Sequence, residues 1–407
     1  MNGKNALEGL RILDFTWVLA GPGAVRYLAD HGAQVIKVER IGEGDIGRRV
    51  MPFREGVRGV NLSGYYNNIN RGKLGITVNL ADPRGIDVIK KLVRISDVVV
   101  ENFTADVMTR LGLNYDVLKE IKSDIIMISM AGCGHSGAYR DYTCFGPTLQ
   151  ALSGITCLMG TPDRDPVGFG FSYSDFTGGW AGVLAILQAL HYRKRTGQGQ
   201  WVDVSQLETL CALMGPGMLD YSVNKRDATR MGNRLPWGNA APHGAYRCKG
   251  DDRWCVISVF NDTQWRSFCR AIGNPEWTKE EKFSTVISRS ENADELDRFV
   301  EKWTIQYTDK EVMETLQKAG IAAGRVQNSK DLVEDDPQIQ HRDFFQEIEH
   351  PEIGRVGYEG VSFKLSDTPG YPHGPAPLLG RHNDIVFGEF LGMSKEEIEH
   401  YKAEGVF

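Results

Sequence analysis

Apolar positions in the first 130 residues fall into short runs separated by longer segments with helical spacing. Residues 10–15, 34–39, 74–80, 97–101 and 124–129 read as short buried strands. Between them, residues 22–31, 83–95 and 115–122 carry the spacing of amphipathic helices, and Pro83 suits a first helical turn. Strands alternating with helices predict an α/β fold with a mostly parallel, doubly wound sheet, whose ligand lies beyond the carboxyl ends of the strands. Downstream, an apolar helix over 180–195 precedes a turn at 197–200, a strand over 201–204 and a helix over 206–219.

The pattern changes near residue 225, where Asn, Arg, Gly and Pro cluster through Gly238 and Asn239. A strand over 254–259 then opens a compact stretch with helices near 263–272, 293–307 and 309–319. This organisation predicts a large Rossmann-like domain over 1–225, a smaller α+β domain over 226–325, and a tail over 326–407. The tail carries a helix before Pro337 and strand-like segments near 344–365. It is too short for a core of its own and is expected to return to the large domain. The segment 234–242, centred on Trp237 and Gly238, reads as a linker with a packed tryptophan or as a mobile lid.

A length of 407 residues suits two domains, and 41% hydrophobic with 25% charged residues suits a large core. A net charge of -6 argues against general nucleic-acid binding but allows a local basic pocket for an anionic ligand. Seven scattered cysteines without a Cys-x-x-Cys pair predict reduced, buried thiols and neither a disulfide scaffold nor a metal site. The first apolar run is broken by Asp14 and lacks a signal peptide's basic start, and no run reaches membrane length. A cytoplasmic protein without membrane or nucleic-acid partners is the expectation.

The residue with the most chemical content is Asp175, beside Gly178 and Gly179 where a helix starts. A carboxylate there is either a helix cap for free backbone N–H groups or an ionised, approachable nucleophile. Elsewhere, Gly21-Pro22-Gly23 follows the first strand, and the second strand ends in Glu39, as in a dinucleotide-binding unit. However, Arg26 replaces the third glycine and Pro22 removes a backbone donor, so a nicotinamide cofactor is not expected.

Several segments keep Asp175 company in a fixed order. Leu7, Gly9, Leu10 and Asp14 run into Phe15, Ala20, Gly21 and Pro22. Next come Gly32-Ala33 before Val38, Glu39 and Arg40; Asn70-Arg71-Gly72-Lys73; Glu101-Asn102-Phe103; and Arg110-Leu111-Gly112. Thr196-Gly197-Gln198-Gly199-Gln200 and Pro377-Leu378-Leu379-Gly380-Arg381-His382 complete the set. Over essentially the whole chain, this order resembles the class III (CaiB/BaiF, formyl-CoA transferase-like) CoA-transferases.

The resemblance implies a two-domain α/β subunit in an interlocked dimer, formed with a second copy or a paralogous subunit. It implies metal-free acyl transfer with coenzyme A as cosubstrate and Asp175 as the catalytic carboxylate, forming an aspartyl anhydride and then an aspartyl-CoA thioester. Val18 and Ala20 would line the CoA groove, Arg40 would meet the adenosine phosphates, and Asn102, Phe103 and Arg110 match contact positions. Arg71 and Lys73 stand as further candidates for the CoA site. Gln206 and Tyr139 would lie near it. Leu19 and Ala131 occupy positions that are polar or basic in oxalate-handling relatives, which implies a less polar acceptor pocket. The overall likeness leans toward enzymes that use succinyl-CoA to activate arylsuccinates such as (R)-2-benzylsuccinate. Mesaconate, citramalate and carnitine-like acids are the alternatives.

The same superfamily includes α-methylacyl-CoA racemases, which pair the aspartate with a histidine because racemisation needs two bases. Here that position is Phe145, which exchanges no proton, and His135 reads as a polar loop residue. A purely structural subunit of a heteromer is the non-enzymatic alternative, and the presence of Asp175 argues against it.

Overall fold

A computed structural model describes residues 5–235 and 238–407. The chain forms two compact units, one of residues 1–156, 168–226 and 338–407, the other of residues 157–167 and 227–337. Residues 326–337, expected in the returning tail, thus group with the second unit, as does the short excursion 157–167.

The first unit is built on six parallel strands in the order β3-β2-β1-β4-β5-β6. They are β1 (Arg11–Asp14), β2 (Gln34–Glu39), β3 (Leu74–Thr77), β4 (Val98–Glu101), β5 (Ile126–Ser129) and β6 (Trp201–Asp203). Successive residues of a strand feed opposite faces. Leu13, Ile36, Val99 and Met127 pack on one face with helix α3 (Pro83–Arg94) and the C-terminal Val406 and Phe407. Ile12, Val35, Val98 and Ile126 pack on the other, with α1 (Ala20–Asp30) and a long helix, Tyr173–Thr196. Two apolar clusters therefore sandwich one sheet. An antiparallel hairpin, Phe345–His350 with Gly354–Glu359, belongs to the same unit.

Two expected helices differ in the structure. The helix over 206–219 is two, Gln206–Leu213 and Gly215–Asn224, because Gly215-Pro216 cannot continue the first hydrogen-bond ladder. The long helix begins at Tyr173 rather than 180, so Asp175 lies inside its first turn. The second unit holds a three-stranded antiparallel sheet, ordered His243–Arg247, Trp254–Ser258, Ala322–Arg325, under its own aromatic-rich core. Within it, Arg234 is tied to Asp297 at 2.6 Å, and Gly238 O accepts from Ser290 Oγ at 2.7 Å. Trp237, central to the linker-or-lid reading, lies outside the described residues. Of the seven cysteines only Cys248, Cys255 and Cys269 are buried, so the expectation of buried thiols holds for fewer than half.

Four buried ion pairs tie the loops around the sheet, three of them toward the switch point where the chain order reverses between β1 and β4 and one, Arg71–Asp30, at the far end of α1. Lys73 Nζ meets Asp14 at 2.9 Å, Lys37 meets Asp45 at 3.0 Å, Arg48 meets Glu39 at 2.6 Å and Arg71 meets Asp30 at 2.7 Å. Burial alone would raise the Asp14 carboxyl, but Lys73 and Lys37 outweigh it and hold Asp14 below its ordinary value. Lys73 also donates to Pro22 O and Asn70 Oδ1, and Lys37 to Thr16 O. Arg71 and Lys73, candidates for CoA phosphates, are enclosed core cations with their charges spent on Asp30 and Asp14. Lys73→Met would strand a buried carboxylate and is expected to cost about 3–5 kcal/mol of stability. Thermal or denaturant unfolding checks this; a variant of unchanged stability whose KM for acyl-CoA alone rises would restore Lys73 to the ligand site.

Candidate functional site

The loop between β1 and α1 carries the densest set of constraints. Thr16 N donates to Asp14, and Trp17 is clamped through both its backbone groups by the Asn102 amide at 2.7 and 2.8 Å. Val18 has a φ of 68°, the left-handed region that a β-branched residue rarely adopts, and its N–H is held by Asp45 at 3.0 Å. Gly21 is required by space, since a Cβ there would lie 2.3 Å from Thr16 Cβ. The result is a fixed launch of α1, whose first residue is Ala20.

Asp175 faces that launch point. Its surroundings are largely apolar, and burial pushes its carboxyl up to about 6, against opposing bonds from Ser172, its own backbone N–H and the Ala20 backbone N–H. This corrects one of the two sequence readings of the residue, the helix cap. It is not the cap of its own helix, where the N-cap position belongs to Ser172. The bonds that favour its charge come first from its own helix start, from Ser172 and its own backbone N–H. A further donor, the Ala20 N–H, comes from the N-terminus of a neighbouring helix, where unpaired N–H groups and the helix dipole attract anions. The glycines beside it serve packing. A Cβ on Gly178 would sit 2.7 Å from Gln206 and one on Gly179 3.1 Å from Ala20 O, so bare backbone brings Asp175 up to α1.

A cavity of about 710 Å³ opens beside Asp175, lined by Leu19 and Ala20, Tyr65 on the short helix Gly64–Ile69, the aromatic run Phe171, Phe176 and Trp180, and the hairpin residue Glu359. This is ample for a small acid and part of a pantetheine arm. Burial and the Asp175 charge push the Tyr65 phenol up, so it stays a protonated hydroxyl in the same cavity. Arg26 forms part of the wall and pairs with Glu359 at 2.6 Å; both are joined by Asn68. Sequence reading did not single out Tyr65, Asn68 or Glu359, and met Arg26 only as a broken glycine motif. Their neighbours in the chain carry no distinguishing pattern, because the cavity assembles segments more than 290 residues apart.

The other expected residues separate into groups. Val18, Ala20, Asn102 and Phe103 gather in the crevice between the β1 and β4 loops, with Trp17 and Phe103 edge-to-face at 6.3 Å. A doubly wound sheet binds ligands at this switch point. Arg40 and Arg110 are exposed; Arg40 shares Glu43 with Arg49 at 3.3 and 3.1 Å. Leu19 lines the cavity and makes it less polar, whereas Ala131 is buried. Gln206 is buried against Gly178 and donates to Met130 O, and Tyr139 is exposed, stacked on Tyr142. Phe145 is exposed at the start of the helix Gly146–Leu152 and offers no second base. His135 is more than a loop residue: it lies 3.5 Å from the buried Glu101, which burial pushes up to about 7. Among the described residues no group of ligands suits a metal ion, and no helix is long and apolar enough to cross a membrane.

Comparison with known proteins fits this geometry. The profile of CoA-transferase family III matches residues 7–383. The chain is 35% identical to a succinyl-CoA–D-citramalate CoA-transferase of Chloroflexus aurantiacus, across 98% of each sequence. It is 32% identical to a human succinyl-CoA:glutarate CoA-transferase, covering all of this chain and 91% of the relative. A crystal structure of a CaiB/BaiF family protein from Brucella suis superposes with a TM-score of 0.87 at 30% identity, over 95% of this chain and 99% of that one. With the family matched along nearly the whole chain and a carboxylate set into its switch-point cavity, this protein belongs to CoA-transferase family III and is a CoA-transferase.

Proposed function

We propose that the enzyme moves CoA from succinyl-CoA to a dicarboxylic acceptor, with an arylsuccinate such as (R)-2-benzylsuccinate favoured, through covalent intermediates on Asp175. The observation that carries this reading is the Asp175 carboxylate, set against the N-terminus of α1 at the edge of a cavity with an aromatic wall. Asp175 attacks the donor thioester, forming an acyl anhydride and releasing CoA thiolate. The thiolate attacks the aspartyl carbonyl, giving an aspartyl-CoA thioester and free succinate. The acceptor carboxylate repeats the sequence in reverse: it displaces CoA as thiolate, and thiolate attack on the acceptor's carbonyl regenerates Asp175. Negative charge grows on an acyl oxygen at each attack, where the α1 amides and the Tyr65 hydroxyl supply donors in a dry site.

A carboxyl titrating near 6 is still about 90% ionised at pH 7 and, being poorly solvated, is a stronger nucleophile than one in water. Phe171, Phe176 and Trp180 give an aryl group apolar surface to cover. The second reading is transfer to a short aliphatic diacid, supported by relatives named for citramalate, glutarate and mesaconate. The apolar residues Trp180, Leu184, Leu219 and Val223 stay exposed in the single chain, consistent with a face covered in a homodimer or a paralogous heteromer. A cytoplasmic setting completes the proposal.

Five measurements test it. Asp175→Asn is expected to abolish CoA exchange, and hydroxylamine with succinyl-CoA to leave a hydroxamate on Asp175 visible by mass spectrometry; an unmodified peptide in inactivated enzyme would exclude the anhydride. In wild type, kcat/KM should fall as pH drops through about 6, because the reactive carboxylate is lost. The sign for stability is opposite: the raised value favours the protonated fold, a contribution complete below the ordinary pKa of 3.8 and lost as pH rises through about 6. Asp175→Asn should thus raise Tm relative to wild type at pH 8 and leave it unchanged at pH 3.5. Finally, among benzylsuccinate, glutarate and citramalate offered with succinyl-CoA, benzylsuccinate should give the highest kcat/KM; a preference for the aliphatic acids selects the second reading.

A further inference from the structure

Among the described residues, Arg26 is the one cation in the wall of the Asp175 cavity. It is 4% exposed, yet its Nε makes no hydrogen bond among the described residues. Its Nη1 is occupied, donating to Glu359 Oε1 at 2.6 Å and reaching Asn68 Oδ1 at 3.4 Å. A guanidinium offers carboxylates two forks, one at its end and one along the Nε side. Glu359 sits on Nη1 and leaves Nε enclosed and without a partner among the described residues. Burial opposes the Arg26 charge, but Glu359 more than compensates, so the cation persists throughout the working pH range.

The position along α1 supplies the spacing. Ala20, whose N–H favours the charged Asp175, and Arg26 are six residues apart, about 9 Å along the helix axis. Helical side chains lean toward the N-terminus, which brings the guanidinium back toward Asp175. Between them lies Gly23, also in the cavity wall, where an added Cβ would meet nothing within 4 Å.

We propose that Arg26 is a specificity residue that receives the distal carboxylate of a dicarboxylic acyl group whose proximal carbonyl is at Asp175. The proposal rests on the reading of Asp175 as the nucleophile. One subsite then serves both half-reactions, since a succinyl donor and a diacid acceptor each present a carboxylate at the far end. Glu359 tunes it by holding the guanidinium in place and limiting its hold on the product.

The test uses full-length enzyme with succinyl-CoA and two acceptors of equal length, glutarate and pentanoate. Arg26→Met is expected to lower the glutarate-to-pentanoate ratio of kcat/KM about 100-fold, the scale of a lost charge-assisted fork. Arg26→Lys should recover part of the ratio. Because donor effects are common to both acceptors, they cancel. A ratio unchanged in Arg26→Met, or equal losses for both acids, overturns the proposal and leaves Arg26 as a structural partner of Glu359. Should Arg26→Met not fold, Glu359→Gln decides: freeing Nη1 should lower KM for glutarate but not for pentanoate, and parallel or absent changes overturn the assignment. Retained turnover in Asp175→Asn would remove the nucleophile while the acceptor ratio still reports on Arg26, so the two failures are separable.

Discussion

Charge buried in the loops around the sheet is the constraint on which the rest depends. Asp14, Asp30, Glu39 and Asp45 are each enclosed with a cation, namely Lys73, Arg71, Arg48 and Lys37. Removing a partner from such a pair costs more than the pair contributes, because the remaining charge cannot regain water. The pairs therefore act as registration points. The Lys37–Asp45 pair in particular holds the loop from Thr16 to Ala20, through Thr16 O and the N–H of the left-handed Val18, and so sets the start of α1. A looser loop would still allow the sheet, but not a preset anion-binding helix end.

Reactivity follows from what is packed against that end. Gly178 and Gly179 let the long helix approach α1 closely, which places Asp175 among apolar groups with few donors. Desolvation raises the carboxyl, and the Ala20 and Ser172 donors restrain the rise. The balance leaves a group ionised at neutral pH but weakly solvated, as a carboxylate nucleophile needs. Stability is spent in keeping it charged, a common feature of active sites.

Much of this was legible in the chain. Alternating strands and helices declared the doubly wound sheet, and the strand alternation that feeds two cores is written in residues such as Ile12 and Leu13 or Val98 and Val99. The ordered motifs from Leu7 to His382 carried the family. Less legible were Arg71 and Lys73, which look like phosphate ligands in isolation and prove to be core cations. Their acidic partners, Asp30 and Asp14, lie 41 and 59 residues away, beyond any local pattern. The polar residues inside otherwise apolar strands, Asp14, Lys37 and Glu39, were the available signal of a buried network.

Sequence by itself determined the sheet and the family and singled out Asp175 as the candidate carboxylate, because periodicity and ordered motifs are properties of the chain. Tertiary structure alone decided what that carboxylate experiences. The donor from Ala20, the phenol of Tyr65 and the Arg26–Glu359 pair come from elements distant in sequence. Burial and field depend on the whole set of neighbours in space, so a pKa and a pocket emerge only once the chain is folded.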